Sequence, residues 1–132
     1  LKNPFTKDKP LIALDFDGTC VKYAFPDIGE SVDAERWLCQ WVAAGAQIIL
    51  WTMRDAELLY KAQRWFEENG IQLHGVQLNP TQAAWTSSPK VYAKLYVDDR
   101  GYGVPLRYPE HGRPYVDWSK LGPTVLGWLN EL

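Results

Sequence analysis

Apolar and polar positions along this chain fall into blocks whose period changes in a regular way. The run "LIALDFD" (residues 11–17) sets four apolar residues ahead of two aspartates, between Pro10 and Gly18, and predicts a strand buried on both faces. "SVDAERWLCQWVAAG" then predicts an amphipathic helix, with Ser31 as N-cap, Asp33 in the first turn, a stripe of Trp37, Leu38, Trp41 and Val42, and Gly45 as its stop. "AQIILWT" (residues 46–52) predicts a second buried strand. Asp55 is placed to cap a second helix, whose Leu59, Ala62 and Phe66 share one face before Asn69-Gly70 ends it. "IQLHGVQL" gives a third strand, a polar link runs from Asn79 to Pro89, and "KLYVDD" (residues 94–99) gives a fourth. After a Gly- and Pro-rich stretch, "GPTVLGWLNEL" predicts a closing helix with Pro123 near its first turn.

Strands alternating with helices of these lengths predict an α/β chain: a Rossmann-like three-layer sandwich around a central, mostly parallel sheet. In such sheets ligands bind outside the carboxyl ends of the strands, and the polar residues here fall at those ends. The first strand ends in Asp15 and Asp17, the second in Thr52 with Arg54 just beyond, the fourth in Asp98, Asp99 and Arg100. Side by side in a sheet, these termini crowd carboxylates, a hydroxyl and cations into one crevice.

A chain of 132 residues, 46% hydrophobic, suffices for one core, so one domain over 1–132 is expected. A net charge of −2 gives no footprint for gripping a long nucleic acid, though a local patch can still hold an end or a nucleotide. Cys20 and Cys39 belong to no metal-ligand spacing, which fits a reduced, intracellular protein. The opening "LKNPFTKDKP" carries no apolar leader segment, and no stretch has the apolar length of a membrane span. A soluble, cytoplasmic protein is therefore expected, and Leu1 in place of methionine leaves the native start open.

Crowded carboxylates are electrostatically poor unless one keeps its proton or a cation joins them. Oxygen ligands with no His or Cys favour a hard ion, and Mg²⁺ takes one or two carboxylates together with substrate phosphate. In an extended strand Asp15 and Asp17 point to the same side, so one can attack while the other moves a proton.

"DFDGT", "WTMR", a lysine ahead of the last strand, and "LYVDD" stand in the order of the four motifs of the haloacid dehalogenase (HAD) superfamily, which this chain resembles over roughly residues 11–100. "YAFPDIGE" and "LYVDDR" are more closely similar to small bacterial and phage HAD-type hydrolases. The "DDR" ending also resembles polynucleotide 3'-phosphatase domains and 5'(3')-deoxyribonucleotidases, more weakly. The resemblance implies a Mg²⁺-dependent phosphomonoester hydrolase. In it Asp15 is the nucleophile that becomes an aspartyl-phosphate, and Asp17 protonates the leaving oxygen and then activates water. Thr52 binds a phosphoryl oxygen and a lysine neutralises developing charge. Mg²⁺ is held by Asp15, the Asp17 carbonyl and Asp98, with Asp99 acting through water or on the lysine. Lys90, on the incoming loop, is preferred to Lys94, which sits inside the predicted strand. Gly18 and Thr19 of the first motif, with Arg54 and Arg100, are candidate phosphate or substrate ligands, and Arg100 is also placed to pair with Asp99.

Superfamily members often carry a cap domain after the first motif or before the lysine. The segment 18–30 and the link 79–89 are each about a dozen residues, enough for a flap and a loop but not for a folded domain. A capless, open site is expected, with Tyr23, Phe25, Pro26 and Ile28 of the flap shielding the phosphoryl group, a loop and helix closing the chain over 100–132, and a second copy or partner available as lid. The phosphorylated substrate is a small molecule or a nucleotide or nucleic-acid end. The end-phosphatase alternative is favoured if Trp85, in the polar link, stacks on a base. Trp37 and Trp41, four apart, fit core packing, Cys20 fits a small packing residue, and His74 and His111 fit structural or exposed roles. A regulatory module that binds Mg²⁺ and phosphate without turnover stays open. A response-regulator receiver fits less well, since its acidic pair lies on the first strand and its acceptor on a later one.

Overall fold

The computed structural model describes residues 9–132; the polar opening, read above as lacking a leader, lies outside the described residues over 1–8. Four short strands, β1 (Leu11–Leu14), β2 (Gln47–Leu50), β3 (Leu73–Val76) and β4 (Leu95–Val97), form one sheet in the order β3-β2-β1-β4. Every pairing is parallel, with Leu14 opposite both Leu50 and Val97. The chain runs outward from β1 through β2 to β3 and then returns to the other side of β1. That reversal opens a crevice between the carboxyl ends of β1 and β4, where doubly wound sheets bind ligands.

Strand residues of alternate parity face opposite ways, and the two faces are covered differently. Ile12, Leu14, Ile48 and Leu50 pack with α1 (Ala34–Ala43), α2 (Ala56–Glu68) and α3 (Trp118–Glu131) through Leu38, Trp41, Phe66, Val125 and Leu129. Leu11, Ala13 and Ile49 pack instead with Val91 and Ala93 of the β3–β4 crossover. This is a Rossmann-like, three-layer α/β fold whose third layer is an irregular crossover, with only a 3-10 turn at Gln82–Ala84. One buried side chain staples that crossover: Gln82 Nε2 donates to the Ser88 and Lys90 carbonyls at 3.2 and 2.6 Å, and its Oε1 accepts from the Tyr92 N–H at 2.7 Å.

The structure corrects several boundaries. Asp33, not Ser31, is the N-cap of α1, because the chain turns left-handed there (φ 71°); Ser31 Oγ accepts from the Asp33 N–H, and the Asp33 carboxylate pairs with Arg36. Lys94 precedes β4 rather than lying in it, its N–H donating to the Leu11 carbonyl at 2.8 Å. The closing helix begins at Trp118, so Pro123 is inside it. Asp117 caps it by accepting from the Ser119 N–H at 3.1 Å, a start the sequence reading passed over in favour of Pro123. Within the stretch expected to be loop, β5 (Leu106–Arg107) and β6 (Tyr115–Val116) form an antiparallel pair. Trp41 is core, as its spacing predicted: it packs at a tilt against Trp118, 5.0 Å between ring centroids, and donates its indole N–H to the Gly122 carbonyl. A Cβ at Gly122 would meet the Trp37 ring at 2.2 Å, so glycine there lets α1 and α3 close.

Candidate functional site

At the carboxyl end of β1 the chain leaves the sheet after Leu14 and loops back on itself, and the loop is held from several sides. The Asp15 N–H donates to the Val97 carbonyl at 2.9 Å, and the Cys20 and Thr19 N–H groups return to the Phe16 carbonyl. The Val116 N–H of β6 donates to the Gly18 carbonyl, and the Trp118 indole donates to the Thr19 carbonyl at 2.7 Å. The C-terminal hairpin and helix therefore buttress the first motif, although nothing in their sequence pattern pointed to it.

Asp15, Asp98 and Asp99 meet here, each offering a carboxylate oxygen within 4.8 Å of the others. Gly18 makes this possible. Its φ is +80°, and a Cβ on it would lie 2.5 Å from Asp99 Oδ2. Burial, then Asp98, lift the Asp15 carboxyl to about 8, against the hydrogen bond it accepts from Thr19. Burial, then a hydrogen bond with Asp98, also raise Asp99. Arg100 is exposed beside the cluster; its positive charge acts to lower Asp99, and its N–H donates to Asp98 Oδ1 at 2.8 Å, but its side chain forms no ion pair with Asp99.

Asp15 and Asp98 face a cavity of about 400 Å³, also lined by Trp51, Thr52, Met53 and Gln77. Thr52 Oγ1 accepts from the Arg54 N–H at 3.2 Å, which leaves its own proton to donate. The segment is pinned by Gln77, a residue that sequence reasoning left inside a strand. Gln77 has φ 63°; its Oε1 accepts from the Thr52 N–H at 2.9 Å, and its Nε2 donates to the Thr52 and Arg54 carbonyls. A lone glutamine at a strand end carries no sequence signal for this.

Several expectations change. Arg54 is no phosphate ligand: it is 1% exposed and all its donors are engaged. Nε and Nη2 donate to the two Asp17 oxygens at 2.8 Å each, Nη1 to the Pro26 and Leu58 carbonyls, and Nη2 also to Asp27. Thr19 is likewise fully buried; its hydroxyl donates to Asp15 Oδ2 at 2.8 Å and accepts from the Asp99 N–H at 3.0 Å, so it positions the carboxylates rather than touching substrate. Asp17 is close in sequence, but its carboxylate belongs to the Arg54 fork and not to the acidic cluster. The flap aromatics do not line the cavity: Phe25 lies over the Arg54 guanidinium at 5.2 Å, and Tyr23 under that of Arg113 at 3.9 Å.

Neither candidate lysine reaches the carboxylates. Lys90 is exposed with Nζ 5.7 Å from the Tyr96 ring centroid, and among the described residues no ion pair joins Lys90 or Lys94 to Asp15, Asp98 or Asp99. Trp85 packs edge-on against Tyr92 at 5.7 Å and is outside the lining of this cavity. Cys20 is buried, as expected of a packing residue, and burial pushes its thiol up.

Among the described residues no helix is long and apolar enough to cross a membrane. No protein-family model matches the chain, and no curated protein is significantly similar to it. The solved structure of a conserved protein from Bacteroides thetaiotaomicron is similar to it, with a TM-score of 0.74 and 30% identity over 91% of this chain and 92% of that one. At that identity and coverage more than the fold is shared, and this chain belongs to the same family as the conserved Bacteroides thetaiotaomicron protein.

Proposed function

We propose that the protein is a Mg²⁺-dependent phosphomonoester hydrolase that works through an aspartyl-phosphate on Asp15. The observation that carries this reading is the meeting of Asp15, Asp98 and Asp99 at the switch point of the sheet, on a cavity that Thr52 also lines. Three oxygen donors this close, with Asp15 lifted to about 8, form a set that a hard divalent cation relieves. Asp15, Asp98 and Asp99, with the Asp17 carbonyl, would hold Mg²⁺. When bound, the ion neutralises charge on the phosphoryl oxygens.

The chain's own groups then have distinct tasks. Thr19 fixes the Asp15 carboxylate by donating to Oδ2, which leaves Oδ1 to attack phosphorus. The bond from phosphorus to the leaving oxygen breaks as the new bond to Asp15 forms, and the leaving oxygen takes a proton from Asp17, which, ionised while it holds Arg54, has first to take that proton from solvent on leaving the fork. Water then attacks the phosphoryl group, Asp17 receives its proton, and Asp15 departs as a carboxylate. For both proton transfers Asp17 has to exchange the Arg54 fork for the reacting oxygen. Thr52 donates its free proton to a phosphoryl oxygen. Two free thiols, one of them the exposed Cys39, support a reducing, cytoplasmic setting.

A second reading, a module that binds Mg²⁺ and phosphate without turnover, is favoured by the engaged Asp17 and, among the described residues, by the lack of a lysine paired with the acidic cluster. The two separate in one experiment. Phosphate release from phenyl phosphate and from nucleoside and sugar phosphates is measured with Mg²⁺ or EDTA, for the wild type and Asp15→Asn. Metal-dependent release lost in the variant is expected; Mg²⁺ binding with no release from any compound favours the module.

A further inference from the structure

The cavity lined by Asp15 and Asp98 has two kinds of lining group. One is the carboxylate end with Thr52. The other is Trp51 and Met53, on either side of Thr52 in the chain. Trp51 is half-buried, its body packed on the core formed by Leu11, Ala13 and Ile49, so its position is fixed by the sheet. Met53 is the opposite case. It is 97% exposed, and it is the protein's single methionine. Gln77 holds the backbone on both sides of it, through Thr52 and Arg54, so the exposed thioether rides on a rigid segment and not on a loose loop.

A cavity of about 400 Å³ is far larger than a phosphoryl group needs and lies within the small-molecule range. What it has to offer beyond the carboxylates is an indole, a polarisable thioether and little charge. Gln77 adds no hydrogen bond donor, because its amide is spent on Thr52 and Arg54. A flat ring gains contact with both the indole and the thioether, whereas a polyol or sugar finds there only the indole N–H as a side-chain donor beyond Thr52.

We infer that Trp51 and Met53 form the leaving-group subsite, and that the substrate is a small phosphomonoester bearing an aromatic or heteroaromatic ring. This rests on the phosphomonoesterase reading for the identity of the group bound at Asp15.

The single methionine supplies the test. The chain is labelled with ¹³C-methyl methionine, so that Met53 gives one signal, and titrated with Mg²⁺ and either benzylphosphonate or methylphosphonate, neither of which can be hydrolysed. An upfield movement with benzylphosphonate, without one with methylphosphonate and reversed by inorganic phosphate, is expected. No movement with benzylphosphonate, or the same movement with both, overturns the subsite. In parallel, Met53→Ala lowers kcat/KM for phenyl phosphate relative to glycerol phosphate by roughly two- to tenfold, the worth of a thioether-to-ring contact; an unchanged ratio counts against the subsite. The two readings fail separately. Mg²⁺-dependent phosphate release without the ring-specific signal removes the subsite and keeps the phosphatase, and the ring-specific signal without phosphate release removes the phosphatase and overturns the leaving-group role, leaving only a ring-binding site at Met53.

Discussion

Both oxygens of the Asp17 carboxylate accept hydrogen bonds from one guanidinium, Arg54 Nε and Nη2 at 2.8 Å each. The same guanidinium holds the flap through the Pro26 and Asp27 carbonyls and the start of α2 through Leu58. With side-chain exposures of 0% for Arg54 and 12% for Asp17, the pair is buried, and its value depends on every donor being used. One residue thus ties the proposed proton-transfer group to the segment that overhangs it.

Removing one partner of such a pair is costly, because the other charge is left buried. Arg54→Gln is expected to destabilise the protein by about 3–5 kcal/mol. Arg54→Lys keeps the charge but not the planar fork, and is expected to fall between the wild type and Arg54→Gln. Urea unfolding measures both, and hydrogen exchange over residues 22–30 is expected to speed up in each. A loss below about 1 kcal/mol for Arg54→Gln is the result that counts against the fork as a structural anchor.

Asp15 makes metal-free stability depend on pH with a definite sign. Its carboxyl titrates near 8 in the folded chain, against about 3.9 in an unfolded one. Between those values the native state holds a proton that the unfolded state has lost. Stability from this group is therefore complete below about pH 4 and is lost as pH rises to about 8, on the order of a few kcal/mol. Unfolding curves across that range are expected to show the decline in the wild type and much less of it in Asp15→Asn. Mg²⁺ should reverse the decline, with a proton released on binding that calorimetry in two buffers can count. A wild type and variant with equal slopes would remove Asp15 as the source.

Gly18→Ala tests the carboxylate geometry. The added methyl has to occupy space 2.5 Å from Asp99 Oδ2, at a backbone φ of +80° that costs an L-residue about 1–2 kcal/mol. A lower melting temperature and at least roughly tenfold weaker Mg²⁺ binding are expected, the latter corresponding to about 1.4 kcal/mol at the metal. Mg²⁺ affinity equal to wild type would mean that Asp99 does not contribute to the ion.

Among the helices of the described residues, only the one that Asp117 opens has an N-cap side chain accepting a backbone N–H. Asp117 accepts from the Ser119 N–H and hydroxyl, and Arg107 Nε lies 3.4 Å from it. Ser119, then Arg107, hold its carboxyl below the usual range. Its contribution is present above the unfolded value near 3.9 and is lost as pH falls through the lower folded one. Asp117→Ala is expected to cost about 1–2 kcal/mol near neutral pH, measured by urea unfolding, with the difference from wild type shrinking in acid. Because Trp118 follows directly and supports Thr19, the variant should also weaken Mg²⁺ binding.

The order of elements was legible because each rests on a local pattern. Residues 11–14, 47–50 and 95–97 are short apolar runs, and α2 follows from Leu59, Ala62 and Phe66 recurring on one face between Asp55 and Asn69. The same locality brought Asp15, Asp98, Asp99 and Thr52 into view, since each stands just past a strand and parallel strands end together. The three-residue β4 was read too long and the β5–β6 pair was missed, because pairings this short depend on the partner rather than on their own residues.

What the sequence alone determined is therefore the α/β order and the set of carboxylates at the sheet's edge. Which of them work together was decided by contacts between residues far apart in the chain. Asp17 is two residues from Asp15, yet it joins Arg54, 37 positions away, because a buried guanidinium demands a carboxylate and takes the one within reach. Asp99 joins Asp15 because Gly18 leaves room for it and Thr19 bridges the two, and Thr19 stands where it does because Trp118 holds it from 99 positions further on. Side-chain type and local period are written in the sequence, but the partner a buried polar group finds is set by packing, and only the folded chain supplies that.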